Sequence, residues 1–186
     1  MAFFDRFKSK KKMALKQYEE VNEIKSLLDE SKLEVLSLFE TLNSLNDNLK
    51  AAKIECVDLD NKIKLSIDRG NEKLSKKAIL KKLYKDEEIK SLEASISYIE
   101  ATRFNIESFL NSLNFEYKKI INIYEDAKDL ALFSKFNKDI LNSINKFKRN
   151  LFNLNVLLLD VENKLNKNSK PSELSIDLDA EMKKYI

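Results

Sequence analysis

Phe3, Phe4 and Phe7 come nearest to a working site in this chain by residue type and spacing. At 100° per residue they share one side of a short helix, while Arg6, Lys8 and Lys12 lie away from it and Lys10 and Lys11 complete the basic run. Rings on one side with cations around them suit a membrane interface. The phenyl groups would enter the acyl boundary, and each basic residue near an anionic surface would contribute roughly 1 kcal/mol. One copy of so short a segment would bind weakly, and an assembly would multiply the effect through effective concentration. A basic tail whose phenylalanines fold back on the body is the competing reading.

No other residues come together as a reaction centre. The chain has no histidine, which removes the commonest general base and the commonest zinc ligand. Neither a Cys–His pair nor a Ser–His–Asp arrangement can form. One glycine cannot build a phosphate-cradling loop. Carboxylate pairs such as Glu19/Glu20 and Glu87/Glu88 read as solvated helix surface. No catalytic residue, metal ligand or cofactor site is assigned, and the chain is not expected to be an enzyme.

The elements that must position the basic segment follow from a heptad pattern. With Val21 as position a, the seam reads Val21, Ile24, Leu28, Ser31, Val35, Leu38, Leu42, Leu45, Leu49, Ala52, Cys56, Leu59, Ile63, Ser66, and twelve of these fourteen are apolar or Cys. A second register starts at Ile89 and runs through Ile99, Ile106, Leu113 and Ile120 to Ser134, again with twelve of fourteen fitting. This 3.5-residue period predicts coiled-coil helices. A single glycine, a single proline and 35% charged residues argue against a body with many turns. The fold class expected is all-α: an elongated antiparallel coiled-coil hairpin with additional hinge-linked C-terminal helices.

The only glycine marks the reversal. Asp68, Arg69, Gly70 and Asn71 interrupt the first helix, expected over 13–67 and roughly 80 Å long at 1.5 Å per residue. Gly70 can take the left-handed C-cap conformation, Asn71 can cap the next helix, and Leu74 opens the new apolar face. A kink within one continuous helix is the alternative. Downstream, the seam slips by one residue and becomes Ile140, Ile144, Phe147, Leu151, Leu154, Leu158, Val161, Leu165, which places a hinge at 134–137. The divisions are therefore 1–12 (basic segment), 13–134 (hairpin), 135–166 (hinge-linked helix) and 167–186 (linker with Pro171, then a short helix over about 172–185). Phe104, Phe109, Phe115, Ile121, Ile123 and Phe133 lie off the seam and need cover from downstream helices or neighbouring subunits.

The net charge of +3 is concentrated at the start. Residues 1–12 hold five basic residues against Asp5, so the rest of the chain carries a slight negative excess. No basic stripe runs along the body, and nucleic acid is not an expected partner. The lone Cys56 cannot form an internal disulfide, and no apolar run of 18 residues exists. A cytosolic location is the expectation from these features.

Residues 63–79, Ile-Lys-Leu-Ser-Ile-Asp-Arg-Gly-Asn-Glu-Lys-Leu-Ser-Lys-Lys-Ala-Ile, resemble the hairpin-tip signature of the PspA/IM30 (Vipp1) family of bacterial, ESCRT-III-like membrane-remodelling proteins. Leu65, Gly70, Glu72, Leu74 and Ala78 match it outright, and Ser66, Ile67, Arg69, Lys76 and Ile79 are chemical equivalents. The opening Met-Ala-Phe-Phe-Asp-Arg-Phe is similar to that family's membrane-binding start. The resemblance implies a long hairpin with later hinge-linked helices, a homo-oligomer that polymerises on anionic membrane lipids, and protection or remodelling of a stressed inner membrane. It leaves room for a regulatory protein partner. The family's Glu-Asp-Pro after the first segment is absent, Ser75 stands in place of alanine, and Lys73 in place of an acid. A coiled-coil scaffold or adaptor that pairs with a partner's helices, without membrane activity, is the alternative function.

Overall fold

The first 69 residues hold no glycine or proline and are rich in Leu, Lys and Glu, so nothing in them stops a helix once it starts. In a computed structural model, one helix, α1, spans Ala2–Asp68; α2 spans Glu72–Asp126, α3 Phe133–Asn168 and α4 Leu178–Met182. The structure describes residues 2–126, 133–169 and 176–185, with side chains described from residue 19 in the first stretch and from 138 in the second. Helices α1 and α2 pack antiparallel and α3 packs on α2; no strand occurs among the described residues. The backbone passes from the basic segment into the heptad region without a break.

The reversal between α1 and α2 is built from backbone hydrogen bonds. Gly70 sits at φ 66°, in the left-handed region. Its N–H donates to the Ile67 carbonyl (2.8 Å), and the Asn71 N–H reaches back to the Ser66 carbonyl (2.9 Å). These are the two bonds of a Schellman motif, which satisfies carbonyls that the helix end would otherwise leave open. Asn71 then caps α2: its Oδ1 accepts from the Leu74 N–H at 3.1 Å, and its carbonyl accepts the Ser75 N–H at 3.0 Å. The chain turns at 69–71, with no continuous kinked helix. Leu74 does not open the buried face. It is 52% exposed, and Ser75, Ala78 and Ile79 point inward in its place.

The chain divides into two compact units, Met1–Leu38 with Thr102–Leu159 and Phe39–Ala101 with Asp160–Ile186. The core of the first takes Val21, Ile24, Leu28 and Val35 from α1, Ile106, Leu113 and Ile120 from α2, and Ile140, Ile144, Phe147 and Leu154 from α3. All were expected seam positions. In the second, Leu42, Ala52, Cys56, Leu59 and Ile63 of α1 are buried, as are Ala78, Ile79, Ile96 and Ile99 of α2 and Val161 of α3. Arg103 occupies a seam position but is exposed and pairs with Glu107 at 2.8 Å. Glu116 and Ser143 each bury an oxygen that finds no hydrogen-bond partner among the described residues, at a cost of about 1–3 kcal/mol apiece.

Helix α2 ends at Asp126 and α3 begins at Phe133, and residues 127–132 lie outside the described residues. Residues 134–137 are helical, in the first turns of α3, which continues as far as Asn168. Of the off-seam apolar residues, Phe104 and Phe115 stay 78% and 65% exposed, whereas Phe109, Ile121 and Ile123 are partly covered. The side chain of Phe133 is outside the described residues.

A Cβ at residue 70 would meet no neighbour within 4 Å, so substitution there costs backbone strain alone. Gly70→Val should lower the unfolding free energy in urea by at least about 1–2 kcal/mol, and Gly70→Asn by clearly less, because Asn tolerates the left-handed region. Equal effects of the two would contradict this account of the turn.

Candidate functional site

The backbone of 2–12 is helical, as the spacing of Phe3, Phe4 and Phe7 requires. The side chains of those three residues, and of Arg6, Lys8, Lys10, Lys11 and Lys12, lie outside the described residues. The structure gives a detailed account of the other sequence-derived site, the turn around Gly70, and of what surrounds it in the second unit.

Two serines join the helices just inside the turn. Ser75 Oγ lies 2.9 Å from Ser66 Oγ, which donates to the Ile63 carbonyl at 2.8 Å. Both are at most 2% exposed. Small hydroxyl side chains let the helices approach here while keeping their polar atoms bonded. Reading residues one at a time missed this pair: Ser66 counted as a lapse in the seam and Ser75 as a departure from an alanine. The signal was their joint placement either side of the glycine.

One face of this helix pair is covered by α4. Leu178, Met182 and Tyr185 pack on a cluster of Ile63, Ala78 and Ile79, with Ile67 and Leu83 beside it. Asp177 caps α4, accepting from the N–H groups of Asp179 and Ala180, each at 3.1 Å. Lys76 bridges Asp179 (2.7 Å) and Glu72 (2.6 Å), and these two carboxylates raise its pKa. Lys82 loses some hydration on burial, yet its bond to Asp60 (2.6 Å) and its contact with the Tyr185 hydroxyl (3.1 Å) outweigh that and hold it charged. Its ammonium also lies 5.5 Å from the Tyr185 ring centroid, within cation–π range.

The opposite face is an open groove of about 440 Å³. Leu59, Ser66 and Ala78 form its buried floor, and Leu65 and Leu74 are its half-exposed walls. Lys62, Arg69, Lys77 and Lys81 stand around it with no acidic residue in the lining. Such a groove can attract anions, but it contains no nucleophile or general base.

Cys56 is the one thiol. Burial, and then the hydrogen bond from its Sγ to the Asp86 carboxylate (3.3 Å), push its pKa up to about 11. It therefore stays a protonated, weakly reactive group at neutral pH. Among the described residues no cluster of His, Cys, Asp and Glu could hold a metal ion, and no helix is long and apolar enough to cross a membrane. No protein-family model, curated protein or solved structure matches the chain.

Two outcomes are expected. Cys56 should react with iodoacetamide at pH 8 about a hundredfold more slowly in the folded chain than in urea, following the smaller thiolate fraction. The stability linked to its raised pKa is present below pH 9 and lost as pH climbs towards 11. For α4, an exposed ion pair contributes little and apolar burial contributes more. Hydrogen exchange at residues 178–182 should change little in Lys76→Ala and speed up at least tenfold in Met182→Asp; the reverse order would show that charge holds the helix.

Proposed function

We propose that this chain is a peripheral membrane-binding, self-assembling helical protein, similar in role to the PspA/IM30 family, that protects or remodels the inner membrane. The observation carrying the proposal is the helical backbone through residues 2–12, which is what one-sided aromatic spacing with flanking cations needs in order to act as an interfacial anchor. The antiparallel helices with their glycine reversal at residue 70 support the resemblance, since they supply the hairpin that the family's tip signature marks. Two buried 3.5-residue seams facing one another are best read as an antiparallel coiled coil. Phe3, Phe4 and Phe7 insert, and Arg6, Lys8, Lys10, Lys11 and Lys12 engage anionic headgroups.

A coiled-coil scaffold that recruits a partner's helices is the second reading, favoured by the large apolar side chains left exposed in both units, Phe104, Phe115 and Ile54 among them.

Co-sedimentation with phosphatidylcholine vesicles, with and without about 30% phosphatidylglycerol, separates the two. Binding should require the anionic lipid and weaken between 0.05 and 0.5 M salt as the screening length shrinks from more than about 10 Å to under 5 Å. Phe3→Asp combined with Phe7→Asp should reduce the bound fraction about tenfold with helicity unchanged. Binding that ignores these substitutions, or no binding by the intact chain, favours the scaffold.

A further inference from the structure

Helix α3 carries a second apolar face that nothing among the described residues covers. Leu141, Phe152, Val156 and Leu159 are 45%, 66%, 51% and 57% exposed. At 100° per residue they fall in a sector of roughly 60°, turned about 120° from the buried seam of Ile140, Ile144, Phe147 and Leu154. Lys138 and Arg149 stand on the same side and are exposed or partly so, whereas residues 150–159 contain no charged residue at all. An uncharged centre with charge only beyond its edge is the anatomy of a protein interface. A helix lying in a lipid interface would instead keep cations along its length.

The complementary face is on α1, within the same compact unit. Leu33 and Leu36 are 66% and 54% exposed; Glu19, Glu23, Asp29 and Glu30 precede them on the exposed side and outnumber Lys25 and Lys32, of which Lys32 pairs with Asp29 at 3.3 Å. The spacing repeats on both helices. Eleven residues separate Lys138 from Arg149 and Glu19 from Glu30, and three more lead to Phe152 on one helix and Leu33 on the other. A pairing between α1 and α3 charge already exists inside the chain, where Lys148 Nζ lies 3.1 Å from Glu20 Oε1.

We propose that copies of this chain associate head to tail, the basic-edged apolar face of α3 in one copy seating in parallel on the acidic-edged apolar face of α1 in the next. Like faces repel, so each copy presents its α3 to the α1 of another, a contact that can continue from copy to copy. The exposed apolar residues are few on each side, four on α3 and two on α1. Each contact is therefore weak, and alignment of many copies strengthens it. This inference rests on the self-assembly part of the proposed function and is independent of the lipid contact.

Sedimentation velocity at 0.05 M salt tests it with two full-length variants, one carrying Lys138→Glu and Arg149→Glu, the other Glu19→Lys and Glu30→Lys. The wild-type chain should form a concentration-dependent series of species. Each variant alone should lose at least tenfold in association while keeping its helicity. Mixed one to one, they should assemble again, because the reversed α3 of one meets the reversed α1 of the other and the unreversed faces match as well. Association unchanged in the variants, or no recovery on mixing, overturns the proposal. A wild-type chain that binds anionic vesicles yet stays monomeric, in solution and on the vesicles, also overturns it and leaves the lipid reading standing. Loss of vesicle binding alone in the α3 variant would assign that face to lipid and likewise overturn it.

Discussion

The left-handed backbone at Gly70 is the constraint on which the arrangement of α1 and α2 depends. Reversing a helix within three residues requires a positive φ, which strains the backbone of a residue that carries a Cβ, and the chain's only glycine is placed there. The Gly70 and Asn71 amides close the end of α1, and the Asn71 side chain and carbonyl open α2. One residue thus serves two helix ends. With so little slack in the connection, the register of α2 against α1 is set close to the turn, and the Ser66–Ser75 contact fixes their approach before the first large apolar residues meet.

What could be read from the sequence was what depends on period. The residues buried in α1 are the heptad positions from Val21 to Ser66, with Leu38, Leu45 and Leu49 only partly covered. The same holds for Ile96, Ile99, Ile106, Leu113 and Ile120 in α2 and for Ile140 through Val161 in α3. Local rules carried the turn equally well, because a glycine followed by a capping residue has few alternatives. What could not be read was pairing between distant residues. Arg103 breaks the seam by turning outward to Glu107, and α4 meets Lys76 and Lys82 from about a hundred residues further along the chain. Period alone also placed the joint after Ala131 at 134–137, where α3 is already helical.

The short α4 shows how the end of the helix pair treats an acidic amphipathic segment. Apolar side chains cover the Ile63 and Ile79 cluster while Lys76 receives Asp179. Because Asp179 is largely exposed, solvent screens much of that attraction, and the apolar contacts carry most of the docking. The opposite groove presents the same combination of leucines and cations with nothing over it among the described residues. Both faces of this end are therefore suited to negatively charged, partly apolar surfaces, and among the described residues one is filled.

The distribution of charge then has a consistent physical meaning. Acids dominate the exposed side of α1 from Glu19 to Glu34, cations dominate α3 from Lys138 to Arg149, and both runs lead into uncovered apolar residues. In an isolated chain each excess raises the energy of the folded state through self-repulsion, and each exposed leucine or phenylalanine gives up hydrophobic stabilisation that burial would supply. Contact between copies would relieve both at once, and the equal spacing of charges on the two helices lets it do so without a change of backbone. Salt would weaken the charged part of that contact and leave the apolar part nearly intact, so the contact would be loosest where ionic strength is high and copies are few. On a membrane surface of the kind proposed above, which would concentrate the chain, the same weak contact would suffice to link neighbours.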